Sequence, residues 1–177
     1  MSMPHIHTES GQHDHTVTAY IVRLDREQPL ALLHMHKKLK KLLPVGGHIE
    51  LDETPWEAVL HEIKEESGYD ISSLELLQPS ERMRFLSDAV IHPYPLVLNT
   101  HNITEDHFHS DIAYGFTATA EPSKSVSAGE SLDLRWYTQS ELSVLGEDII
   151  FGNTKEIYDF VFNIALEKWP KTKTNNL

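Results

Sequence analysis

Residues 46–69, GGHIELDETPWEAVLHEIKEESGY, carry the reading from which the rest of the fold follows. Gly46 and Gly47, reached through Leu43-Pro44-Val45, permit a tight backbone path that a Cβ would obstruct. Thr54-Pro55-Trp56-Glu57 has the form of a capping box, with Thr54 as N-cap, Pro55 at the first helical position and Glu57 reaching back to the Thr54 amide. A helix therefore starts at residue 55. Trp56, Val59, Leu60 and Ile63 recur at helical spacing as a core-facing stripe, and Gly68 supplies a left-handed stop after about three to four turns.

Upstream, residues 17–24 (VTAYIVRL) and 29–35 (PLALLHM) are β-rich runs joined by a polar turn. Downstream, strands are expected at 74–78, 89–99, 112–119 and 133–138, with polar loops at 100–109 and 121–131. Pro93 and Pro95 mark an edge or an interruption in the second of these strands. Ile157, Phe160, Val161, Ile164 and Leu166 give the stretch 154–169 a helical period. The pattern is a mixed sheet with helices covering its faces, read as one domain over residues 1–177, with 1–14 and 170–177 loosely ordered.

Composition narrows the chemistry. The 177 residues contain no Cys, which removes disulfides, thiol nucleophiles and Cys-type zinc sites and points to a reducing compartment. No run approaches the ~18 apolar residues of a membrane span, and the first residues lack a basic segment followed by an apolar one. A cytoplasmic protein is expected. With 15 Lys+Arg against 27 Asp+Glu the formal charge is -12, which argues against docking on extended nucleic acid but leaves a small anion open if metal ions offset the local charge. A homodimer is compatible with this composition.

Three and four residues apart on a helix, Glu62, Glu65 and Glu66 share one face, with Ala58 as a small neighbour. Such like-charge pairs destabilise a bare helix by roughly 0.2–0.5 kcal/mol each, and the stretch 50–66 adds Glu50, Asp52, Glu53 and Glu57 against Lys64 alone. Hard divalent cations, Mg²⁺ or Mn²⁺, meet that demand through oxygen ligands, to which the carbonyls of the Gly46-Gly47 turn can add. The chemistry such ions serve is hydrolysis of a phosphoric anhydride. For an arbitrary Glu-rich helix a solvated acidic face is the commoner explanation.

The local pattern goes further than spacing. Gly47, five residues, Glu53, seven residues and then His61-Glu62-Ile63-Lys64-Glu65-Glu66-Ser67-Gly68-Tyr69 resembles the Nudix box, with every carboxylate and both glycines kept. It departs at His61, where the family has Arg, and at Tyr69, where the family has an aliphatic residue. The family's Arg holds the loop Glu, here Glu53, whereas an imidazole is shorter and charged only at lower pH. The resemblance implies an α/β/α sandwich around a mixed β-sheet, with Glu62, Glu65 and Glu66 as metal ligands, Gly46 as a ligand through its carbonyl and Glu53 as an orienting carboxylate. It also implies a base or further ligand from a loop outside the box, for which Glu130 is the candidate.

Several of the twelve histidines are grouped, notably His13 with His15, His34 with His36, and His107, His109 and Asp111. Alternate residues of a strand share a face, so the last trio suits a transition metal if extended, although a hydrogen-bonded or surface His is the commoner case. His48, His92, His107 and His109 are read as lining a substrate pocket near the metal site. Lys38, within the cluster Lys37, Lys38, Lys40 and Lys41, is read as a phosphate contact. The leading expectation is a pyrophosphohydrolase acting on a nucleoside diphosphate linked to another group. The rivals are a catalytically weak ligand sensor or binding module and a histidine-rich metal buffer; an isopentenyl diphosphate isomerase is disfavoured by the absence of Cys.

Overall fold

Two long strands, β1 (Gln12–Arg23) and β7 (His107–Ala118), run parallel through twelve paired residues and form the spine of the molecule. The computed structural model describes residues 12–174. On one side of β1 lie β2 (Leu30–Met35), paired at its C-terminal end, and β4 (Val45–His48), paired at 16–19, both antiparallel. The short β3 (Leu42–Leu43) and β8 (Leu134–Tyr137) extend β2. On the far side of β7, β5 (Leu74–Leu77) pairs its end and β6 (Val97–Thr104) its beginning. A last strand, β9 (Lys171–Lys173), pairs β5. The parallel central pair with antiparallel flanks makes the sheet mixed, as expected.

Period-two alternation gives the sheet two apolar faces. Val17, Ala19 and Ile21 of β1 and Tyr114, Phe116 and Ala118 of β7 pack with Ala58, Val59 and Ile63 of helix α1 (Pro55–Glu62) and its continuation. Tyr20, Val22, Leu33 and Ala113 face the other way, against Ile157, Tyr158, Val161 and Ala165 of the C-terminal helix. That helix is α3 (Gly152–Phe160), continued by a π-helical turn (Val161–Ala165) and α4 (Leu166–Lys168); α2 (Gln139–Ser143) precedes it. The result is an α/β/α sandwich. Fully buried Tyr158 donates its hydroxyl to the Leu32 carbonyl at 2.6 Å, so this large polar side chain of the second core is satisfied. Among the described residues no helix is long and apolar enough to cross a membrane.

Three expectations need correction. The strand read at 89–99 begins only at Val97, because prolines at 93 and 95 lack the amides a ladder requires; residues 100–104, read as loop, are strand. Among the described residues, 97–104 pair only β7, so an edge strand with one wet face carries polar residues that mimic a loop. The loose ends are shorter than expected: residues 12–14 already pair with β7, and β9 plus buried Thr174, whose hydroxyl donates to the Ile71 carbonyl at 2.7 Å, order the chain to 174. Residues 1–11 and 175–177 lie outside the described residues.

Candidate active site

Local sequence aims α1 at the β4 strand. The capping box forms as read: the Glu57 amide donates to Thr54 Oγ1 at 3.3 Å, and the Thr54 amide to Glu57 Oε2 at 2.9 Å. After Glu62 the helix widens into a π-helical turn, Ile63–Ser67, in which Ser67 Oγ donates to the Ile63 carbonyl. It ends at Gly68 with φ 71°, where a Cβ would strike the Lys124 carbonyl. This is a local winding that residue spacing did not reveal.

Glu62 and Glu66 both press on β4. A Cβ at Gly47 would collide with Glu62 Oε1, which is the physical reason for glycine there. The Gly46 amide donates to Glu66 Oε2 at 3.1 Å. Since the N–H and C=O of an extended residue point to the same strand edge, the Gly46 carbonyl leaves β4 on the side of Glu66. Burial pushes Glu62 up to about 7; His61 pulls it back, while the charges of Glu65, Glu130 and Glu53 add to the rise. Burial raises Glu66 further, against the Gly46 amide and with Glu62 and Glu130 contributing. His34, absent from the sequence-derived site, stands beside them with Nε2 3.8 Å from Glu66 Oε2. It is no counter-cation, because burial, with the charge of His36, lowers it to about 4.

Glu130 arrives from a loop remote in sequence but stitched to the end of α1. The Lys124 amide donates to the Gly68 carbonyl at 3.0 Å, and the Ser127 amide to the Glu65 carbonyl at 2.7 Å. Ser131 Oγ donates to the Met35 carbonyl at 2.8 Å, and the Lys37 ammonium donates to the Gly129 carbonyl. Held on both sides, Glu130 stands close enough to Glu66 to help raise that carboxyl. Beside it opens a cleft of about 640 Å³ lined by Met35, Lys37, Lys40, Ser127, Glu130 and Asp133, among others.

His61, the departure from the box, occupies the position of a clamp. Its Nδ1 lies 3.0 Å from Glu53 Oε1 and its Nε2 3.4 Å from Glu65 Oε1. Burial alone would lower the imidazole, but its bonds and charges toward Glu53 and Glu65 outweigh this and raise it. Glu65 and Glu53 thus form the outer rim of the carboxylate group, with Glu62, Glu66 and Glu130 at its centre. Five carboxylates with an oxygen-only inner set and a backbone carbonyl suit a hard divalent cation, and burial raises Glu62 and Glu66 among them.

The residues read as substrate contacts divide. Lys38 is exposed and its charge acts on His36, while Lys37 and Lys40, not Lys38, line the cleft. His92 sits in a smaller cleft of about 280 Å³ with Pro55, Pro93 and Tyr114, near the start of α1. His48, His107 and His109 do not line the carboxylate site: strand alternation turns them to the opposite face, where they gather around Asp14. Asp111 is not their carboxylate either. Its Oδ1 accepts from Thr16 at 2.9 Å and Thr18 at 2.8 Å, so the trio read with His107 and His109 is replaced by a group containing Asp14. Asp14 fell in the stretch expected to be loose, and only the β1–β7 register, Asp14 opposite His109, reveals it.

A capped acidic helix set against Gly46 and Gly47 of β4, inside an α/β/α sandwich, is an arrangement suited to a hard divalent cation. The NUDIX domain profile matches residues 14–158, and the chain belongs to that family. It is a Nudix hydrolase, of the family that acts on pyrophosphate bonds. A NUDIX-family hydrolase from Clostridium perfringens is 31% identical and superposes with a TM-score of 0.65 over 84% of this chain and 97% of that one. The C. elegans Ap4A hydrolase shares the fold at 13% identity and TM-score 0.59, over 84% and 95% of the two chains. The NUDIX domain of Shewanella oneidensis NrtR, complexed with ADP ribose, shares it at 15% and 0.59, over 84% and 87%. Comparison with curated proteins gives no match.

Proposed function

We propose that the protein hydrolyses a phosphoanhydride bond in a nucleoside diphosphate linked to another group, with Mg²⁺ or Mn²⁺ held by Glu62, Glu65, Glu66 and the Gly46 carbonyl. The observation that carries this reading is the convergence of Glu62 and Glu66 on Gly46 and Gly47 of β4: a Cβ at Gly47 would strike Glu62, the Gly46 amide donates to Glu66, and burial raises both carboxyls. When bound, the cation neutralises phosphate oxygens and lowers the pKa of water. The chain's own residues do the remainder. Glu130, on a loop fixed by the Lys124 and Ser127 amides, is the group that would take a proton from an attacking water. His61 holds Glu53 and Glu65 in orientation.

The adjacent cleft of about 640 Å³ has room for the group beyond the pyrophosphate, and Lys40 and Lys37 on its wall favour an anion. Lys38, exposed next to them, contributes to the same positive rim. Among structures of this fold, an Ap4A hydrolase and a domain that binds ADP ribose support a nucleotide-containing substrate. His92 meets the substrate only if it extends toward the start of α1. The test is phosphate or nucleoside monophosphate release from dinucleoside polyphosphates, nucleotide sugars, nucleoside triphosphates and non-nucleoside diphosphates, with Mg²⁺ or Mn²⁺. Glu66→Gln is the control. Metal-dependent release that falls at least roughly 100-fold in the variant supports the reading, because losing a ligand costs no less than losing an outer-shell partner. Saturable binding of one compound without turnover would replace it with a ligand sensor.

A further inference from the structure

Across the sheet from the carboxylate site lies a second cluster with different chemistry. Asp14 of β1 is opposite His109 of β7 in the parallel register, and Thr16, two residues on, is opposite His48 of β4. Strand alternation therefore projects Asp14, His48, His107 and His109 from one face, the face opposite α1. Asp14 is wholly buried, with its Oδ2 3.1 Å from His107 Nε2 and 3.5 Å from His48 Nε2. One potential ligand atom from each of Asp14, His48 and His109 lies within 4.8 Å of the others. The His109 ring is packed edge-on against His48 at 5.0 Å and His107 at 5.4 Å between centroids.

We propose that Asp14, His48, His107 and His109 form a second metal site, taking one borderline transition dication of the Zn²⁺ or Co²⁺ class. The donor set decides the class: three imidazoles and one carboxylate suit such ions, whereas Mg²⁺ prefers an all-oxygen shell. Geometry agrees. Donors about 2.0–2.2 Å from a tetrahedral ion lie about 3.3–3.6 Å from one another, close to the Asp14 separations from His107 and His48. With the histidines neutral, a dication and Asp14 leave the cluster singly positive, beside buried Asp111, whose two Thr donors keep it out of the ligand set. His101 stands behind, its Nδ1 3.1 Å from Asn99 Oδ1 and its ring 5.6 Å from that of His109, as an outer support. With Asp14 on β1, His48 on β4 and His107 and His109 on β7, a bound ion ties the three strands together at the end of the sheet where β4 also carries Gly46 and Gly47.

This site does not depend on the hydrolase reading, and its test is spectroscopic. The full chain, stripped with a chelator, is titrated with Co²⁺ and then Zn²⁺. One equivalent of Co²⁺ should give the intense visible absorption of a four-coordinate ion, displaced by Zn²⁺, and the band should survive in the Glu62→Gln/Glu66→Gln protein. His109→Ala should weaken Co²⁺ binding at least roughly tenfold, more than an outer-shell change costs at its mildest. Should His109→Ala fail to fold by circular dichroism, His48→Gln, at the end of a short strand, gives the same reading. Absence of a four-coordinate band in the wild-type protein overturns the site. So does a band that persists in the folded His variants and disappears with the two glutamates.

Discussion

Glu62→Gln should make the metal-free protein more stable, and by an amount that depends on pH. Burial holds Glu62 at about 7 in the folded chain against 4.5 for an unperturbed carboxyl. Between those values the folded state keeps a proton that the unfolded state has lost, so stability falls as pH rises from 4.5 to about 7 and the full cost stands above it. A rise of that size corresponds to about 3 kcal/mol, an upper figure because relaxation and water entry reduce it. Glutamine has the same shape, fits against Gly47 and carries no charge. At pH 8, with chelator present, denaturant unfolding should show the variant more stable by up to about 3 kcal/mol, or roughly 6–12 °C in Tm for a chain of this length. At pH 4.5 the difference should nearly vanish. Excess Mg²⁺ at pH 8 should close the gap by stabilising the wild type. A pH-independent difference, or a variant less stable than wild type at pH 8, would refute the account of Glu62 as a buried charge awaiting a cation.

Other substitutions probe the neighbouring parts. Glu130→Gln should lower kcat while leaving Tm near that of the wild type, measured with Mn²⁺ on whichever substrate the panel identifies. His61 is raised in the folded state, so its hold on Glu53 is complete at acidic pH and is lost as pH rises through that value; His61→Arg should gain activity over wild type progressively above neutrality in a pH–rate profile. Gly47→Ala drives a methyl into Glu62 and should abolish metal-dependent turnover, with loss of the Mn²⁺ effect on Tm as the direct check. Tyr158→Phe leaves the buried Leu32 carbonyl without its donor and should cost about 1–3 kcal/mol in denaturant unfolding.

Glu62, Glu65 and Glu66 were legible because helix geometry is local: their common face, the capping box at Thr54 and the stop at Gly68 depend on contacts within a few residues. The β1, β2, β5 and β8 runs were legible for the same reason, their β-rich composition being a property of each strand alone. The limits of β6 were not, since polar residues on an edge strand and in a loop look alike until the partner is known. Nor was the short β9, which owes its order to pairing with β5.

The local sequence by itself determined the acidic helix, its Gly-Gly turn and the family pattern they make. Tertiary structure decided which distant groups join them. Glu130 reaches Glu66 only because backbone bonds tie residues 124 and 127 to 68 and 65. His48, His107 and His109 share a spacing that suits one pocket, yet a strand residue's face depends on the register of its neighbours, and that register sends them across the sheet to Asp14. Spacing along a chain constrains residues a turn or a pleat apart; it says nothing of which side of a sheet two separate strands present to each other.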